Sequence, residues 1–415
     1  MWGMGAVFML LLYLLIFDLP QSIYNPAYWS VDAVSYRDAA KMLYTEGFKP
    51  HIILSAGYPL VLGLPLFLIG NFSDTAMVTC GIIENTIFYF LSFVLLYYII
   101  LQYTNKKYAS IGCFLLCLFP GYTALITETL AEVFFIFLLL LSLRLYQLST
   151  IKTYRLLFYI SLALLLLTKP ISTYPVLVIC IIFLVKSSYL HIQQKKTAIH
   201  YYSLIPITIY IIQGVWIHQS YQMYSYNCVG QKIMYAYLLA RSQSFYTGEE
   251  FSDIKNQRNH ILYNTPAAQF PKLCDSLMHQ EFNKQVPHNI PNIFKALFYH
   301  IFVPNMQDGS YNIIQLETNN DMQHTWKATL FNISKKENVI YTLLLFLLFA
   351  YHIFILFRKR KLHELFVLNL ICVFFVILSG ISCFQGDRLH IVILPFLLVI
   401  LSATIFQLKS KHHAR

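Results

Sequence analysis

Charge is scarce in this 415-residue chain. Asp, Glu, Lys and Arg make up 12% of it, roughly half the share usual in soluble globular domains, and that shortage argues against a soluble single domain. Acidic residues are scarcer still, 19 against 30 basic ones. Neither a GxGxxG nor a GxxxxGKS/T phosphate cradle occurs in the loops, which removes the common nucleotide-binding frames. The eight cysteines form no CxxC pair and no Cys/His ligand cluster, so no metal or other cofactor is expected. Of them, Cys228 and Cys274 are the pair placed to join in a loop. No internal repeat or low-complexity tract is present. Met1 to Leu19 lacks the basic start and small-residue cleavage site of a signal peptide and reads as a retained first span.

What the chain does have is apolar surface. The hydrophobic fraction is 57%, and runs of roughly 17 to 25 apolar residues, long enough for a bilayer core of about 30 Å, recur from end to end. The expected fold is all-α and integral to a membrane. Spans are predicted at 4–20, 77–103, 109–125, 127–145, 156–169, 171–187, 203–218, 338–357, 365–383 and 389–407, about ten crossings in all. The apolar stretch from Gly57 to Gly70 is too short to cross and reads as a half-inserted or interfacial helix.

A net charge of +11 raises the question of nucleic acid, but the basic residues fall in short clusters between apolar runs with no nucleic-acid module around them. They act as topology signals. Lys106/Lys107, Arg144/Lys152/Arg155, Lys186/Lys195/Lys196, Arg358 to Lys361, and Lys409/Lys411/Arg415 lie in alternate connections and tail, with Glu364 as their one acidic companion. The positive-inside rule makes these cytoplasmic, together with both termini. Three regions follow: residues 1–218 with the first external loop at 21–76, an external and mainly helical cap at 219–337, and a C-terminal membrane part at 338–415. A bacterial inner membrane is the expected location, or the endoplasmic reticulum in a eukaryote.

Ionisable residues at membrane depth are costly and mark function by default. The predicted topology brings several to one outer face: Asp32 and Asp38 in the first loop, Glu84 inside the second span, Glu128 and Glu132 opening the fourth, and Lys169 and Arg388 at span ends. Carboxylates beside cations there suit a reaction between an anionic lipid headgroup and a hydroxyl acceptor. Each has a plainer reading. Asp32 is placed to cap a helix, Glu128 to meet a helix dipole, Glu84 to pair with Lys169, and the cations to snorkel.

The run Asp32, Ala33, Val34, Ser35, Tyr36, followed by Ala39, Ala40 and Gly47 and then by Ser55, Ala56, Gly57, Tyr58 and Pro59, resembles the opening of the GT-C membrane glycosyltransferases. Asn85, Pro120, the Thr127 to Leu130 run, Lys169 with Pro170, and Arg388 with Pro395 follow in the same order. The closest likeness is to the branch of protein O-mannosyltransferases and the lipid A aminoarabinose transferase. That resemblance implies a GT-C-like fold and transfer of a sugar from a polyprenyl-phosphate donor to a lipid, glycan or protein acceptor with inversion. It also implies Asp32 and Glu128 as catalytic residues, with Lys169, Arg388, Tyr58 and Glu84 binding substrate. The rival expectations are a lipid or glycan transporter, or a polysaccharide polymerase using a diphosphate-linked glycan.

Overall fold

The computed structural model describes residues 2–17, 23–26, 29–51, 53–192, 201–222, 228–266, 269–359, 363–382, 388 and 390–413. Lys195, Lys196, Arg360, Lys361, Asp387 and Arg415 fall outside them. Helices account for the regular structure among the described residues.

Local sequence sets the helix ends. The hydroxyl of Ser73 accepts a hydrogen bond from the Ala76 amide and starts the 30-residue Asp74–Tyr103 helix. Asn105 caps the next, Lys106–Cys117, by accepting from the Lys107 and Tyr108 amides. Phe119 is extended and Pro120 opens a new turn, so the chain bends by 67° between Lys106–Cys117 and the Pro120–Thr127 stretch. Lys152–Thr168 and Thr173–Ile192 are joined by a tight turn at Pro170–Ser172.

The expected ten crossings are not found among the described residues. There, four helices are long and apolar enough to cross a membrane, Asp74–Tyr103, Pro170–Tyr189, Asp321–Arg358 and Ile391–Ser410, or five if the bent pair forms one span. The reason is mostly length. Trp2–Ile16, Glu132–Gln147, Lys152–Thr168 and Glu364–Ser379 have 15, 16, 17 and 16 residues, and at 1.5 Å per residue they rise only about 23–26 Å. Leu204–Tyr221 reaches 18 residues but carries Gln213, His218 and Gln219. The chain is therefore a multi-pass membrane protein with fewer spans than its apolar runs suggest, and the ten-helix fold is corrected accordingly.

The core lies among Asp74–Tyr103, Lys106–Cys117, Glu132–Gln147, Lys152–Thr168 and the C-terminal helix. That last helix is the central one: 72% of its apolar window is buried, against 28–33% for the other three candidate spans. Gly57–Ile69 is a 13-residue helix that closes on the Lys152–Thr168 helix at Gly57, where an added Cβ would lie 2.8 Å from the Leu167 carbonyl. A second small core packs Ile217 of the Leu204–Tyr221 helix against Cys228, Tyr235, Leu262, Phe270 and Cys274 from the region between residues 228 and 302. Cys228 and Cys274 are both thiols there, with the Cys274 Sγ 4.0 Å from the Cys228 carbonyl oxygen. Phe270–Phe302 runs for 33 residues with Pro287 and Pro291 accommodated within it. Asp321–Lys359 starts well before the apolar run at 338, since its polar first half is helical too.

The bundle is charge-polarised. Glu132, Lys169 and Arg388 stand at one end of their segments. Arg144 closes the Glu132–Gln147 helix at the other end, Lys152 and Arg155 open Lys152–Thr168 there, and Lys409 ends the C-terminal helix. Twelve residues separate Glu132 from Arg144, a rise of about 18 Å.

Candidate active site

Ser30 caps the Val31–Thr45 helix, its hydroxyl accepting from the Ala33 amide at 3.2 Å. Asp32 sits in the first turn and is not the cap, so its side chain is available for other work. It receives a hydrogen bond from Arg388 Nη1 at 2.6 Å on Oδ2. The same guanidinium donates from Nε to Glu132 Oε1 at 2.5 Å, and Lys169 Nζ reaches that same oxygen at 2.7 Å. Four charged groups, two of each sign, thus form one chain: Asp32, Arg388, Glu132, Lys169. The Glu132 side chain is fully buried, Arg388 is 9% and Lys169 12% exposed, while Asp32 is 50% exposed. Asp32 is the open end of an otherwise enclosed network.

Burying charge is tolerable here because each cation has a carboxylate within hydrogen-bond range. Lys169 is delivered by the Pro170 turn, with Ser172 Oγ donating to the Lys169 carbonyl at 2.7 Å, and its ammonium also lies 5.9 Å from the centre of the Phe135 ring. The Tyr36 ring packs beside the network, and burial, with Glu132 nearby, raises the pKa of its phenol far above the ordinary tyrosine value.

Glu128 lies next to this network. It is in the extended link before Glu132, outside every candidate span. Ser30 Oγ donates to Glu128 Oε2, and Asn85 Nδ2 donates to the Glu128 carbonyl at 2.7 Å. Burial lifts its carboxyl to about 7, against the lowering effects of Ser30 and Arg388. It lies outside the Glu132 helix and so does not serve that helix as an N-terminal charge.

The remaining candidates stand apart. Tyr58 is fully buried and packs edge-on against Tyr36 with ring centres 5.4 Å apart, and its hydroxyl has no hydrogen-bond partner among the described residues. Glu84 accepts from the Cys80 thiol at 3.7 Å; the carboxylate paired with Lys169 is Glu132 instead. Asp38 is exposed. His390 is buried between Ser379 Oγ at 2.8 Å and Asn338 Oδ1 at 2.9 Å. Among the described residues no group of three or more His, Cys, Asp and Glu could hold a metal ion.

Glu132 is the residue to which sequence reasoning gave no role. The available signal was that two buried cations, Lys169 and Arg388, both needed a carboxylate, and Glu132 is the acidic residue that starts an apolar helix.

No protein-family model matches the chain, and no curated protein matches it. The resemblance to GT-C glycosyltransferases is therefore withdrawn. Its loosely spaced matches are not accompanied by a family match, and the described residues hold four or five candidate spans where about ten were implied. The polyprenyl-phosphate-dependent sugar transfer inferred from it goes as well, and with it the transporter and polymerase alternatives framed on the same ten spans.

Proposed function

We propose that this chain is a membrane enzyme carrying out acid–base chemistry on a hydroxyl-bearing amphiphile, with Asp32 as proton acceptor. The observation that supports this reading best is the half-exposed Asp32 carboxylate tied through Arg388 to a buried Glu132–Lys169 pair. A general base must be ionised, oriented and reachable by the proton it takes. Arg388 supplies the orientation by holding Oδ2, and the half-exposed carboxylate keeps Oδ1 for a substrate hydroxyl.

The charge balance then favours reaction. With Asp32 ionised the four groups sum to zero. Once Asp32 accepts a proton, Arg388, Lys169 and Glu132 carry a net positive charge, which stabilises negative charge developing on the substrate in a poorly solvated site.

In this reading the enzyme sits in a bacterial inner membrane with the site facing outward, because the basic ends of the same helices favour the cytoplasm. Its partners are membrane lipids and not nucleic acid. The test is conversion of components of a membrane lipid extract by the reconstituted protein, with Asp32→Asn as the variant that removes the base and keeps the side chain's size.

A further inference from the structure

A cavity of ≈ 250 Å³ runs through the bundle away from the charged network. Its walls are apolar, with Leu139, Leu162, Val176, Leu368 and Cys372 among them, and its polar residues sit mostly at the two ends. Ser172 marks the end near Lys169. Tyr103, Tyr146 and Glu364 mark the other, where the Tyr103 hydroxyl donates to Glu364 at 3.2 Å. Along the Glu364–Ser379 helix the lining extends from Glu364 to Phe375, a length of about 16 Å. Space this apolar does not hold water well and takes apolar occupants. An apolar lining that extends over about this length in a membrane protein suits one acyl chain.

Charge decides which lipid. Arg144 stands between the lining residues Leu143 and Tyr146, and Arg155 lies one turn before the lining residue Phe158. Arg144 donates to Gln147 at 3.1 Å and Arg155 to the Ser149 carbonyl at 3.0 Å. Both guanidiniums are partly exposed and have no carboxylate partner among the described residues. We propose that this cavity holds one acyl tail of an anionic phospholipid whose phosphate meets Arg144 and Arg155, at the end of the bundle opposite Asp32. Two cations against the single carboxylate of Glu364 leave this end positive, which favours an anionic headgroup over a neutral one. This site is independent of the chemistry at Asp32.

The test uses the full chain in detergent micelles doped with equal amounts of phosphatidylglycerol and diacylglycerol, read by native mass spectrometry. The wild type is expected to retain one phosphatidylglycerol with a preference of about tenfold or more. Arg144→Gln with Arg155→Gln should erase that preference, and Val176→Phe with Leu368→Phe should close the cavity and lose the lipid. Because the filled variant could fail to fold, a phosphatidylglycerol with a mid-chain diazirine is photolysed on the wild type. Cross-links on Val176 and on Leu368 to Cys372 support the site. Cross-links confined to the outward-facing Val178, Ile181 and Ile182 overturn it, as does equal retention of diacylglycerol. Retention that depends on Lys169 and not on the two arginines would place the headgroup at the wrong end and also overturn it.

Discussion

Replacing Glu132 by Gln should be the most damaging single change to the charged network. The glutamine keeps the size and one acceptor oxygen but not the charge, so Lys169 and Arg388 face each other in a buried site with only the half-exposed Asp32 to offset them. Removing one partner of a buried ion pair costs about 3–5 kcal/mol, far more than the pair itself contributes. At about 2.1 cal/mol/K of unfolding entropy per residue, a chain of 415 residues has roughly 0.9 kcal/mol/K, so the melting temperature should fall by about 3–6 °C. Thermal melting of the purified protein in detergent measures this. Lys169→Met removes one of the stranded cations, so the double variant should be more stable than the sum of the single effects by about 1–3 kcal/mol. A fall of less than about 1 °C for Glu132→Gln, or strictly additive effects, would refute the view that one carboxylate neutralises both cations.

Two further outcomes follow from packing and burial. His300 is buried, hydrogen-bonds the Gly380 carbonyl at 3.0 Å, and has its pKa lowered to about 4 by desolvation and then by Arg241. The unfolded chain takes up this proton near pH 6.5 while the folded one resists it, so stability should fall as pH drops from about 6.5 to 4, by up to about 3 kcal/mol. Melting against pH should show a fall in that range in the wild type, and the fall should be smaller by up to that amount in His300→Gln. Gly57→Ala forces a methyl group to within 2.8 Å of the Leu167 carbonyl, next to the turn that delivers Lys169. It should destabilise by about 1–3 kcal/mol as overpacking does, and an unchanged melting temperature would show that the two helices are free to separate.

The apolar runs made most helices legible, because a continuous hydrophobic stretch such as 74–103 or 391–410 has few ways to satisfy its backbone except as a helix. Span count was not legible in the same way. Helices such as Trp2–Ile16 and Glu364–Ser379 end short of a bilayer's thickness, a property of where the backbone turns and not of hydropathy. The polar start of Asp321–Lys359 hid its helix for the converse reason, since its first half has no apolar run. At the candidate site, charges flanking apolar segments pointed to Asp32, Lys169 and Arg388. Their meeting point did not show, because Glu132 finds its partners 37 and 256 residues away. Ser30 as the cap was equally hidden by Asp32, a residue of the same capping chemistry two positions on.

The claim that Asp32 is the reacting carboxylate is tested most directly by turnover. Wild type, Asp32→Asn and the exposed-residue control Asp38→Asn are reconstituted into vesicles of bacterial membrane lipid, and lipid and aqueous phases are followed by mass spectrometry. The account predicts conversion of a hydroxyl-bearing amphiphile by wild type and Asp38→Asn. Asp32→Asn should be slower by about 10²–10⁴, the usual contribution of a general base, with a melting temperature within about 1 °C of wild type, since losing a half-exposed ion pair costs about 0–1 kcal/mol. Equal turnover by Asp32→Asn and wild type, or no conversion by the wild type, would contradict it.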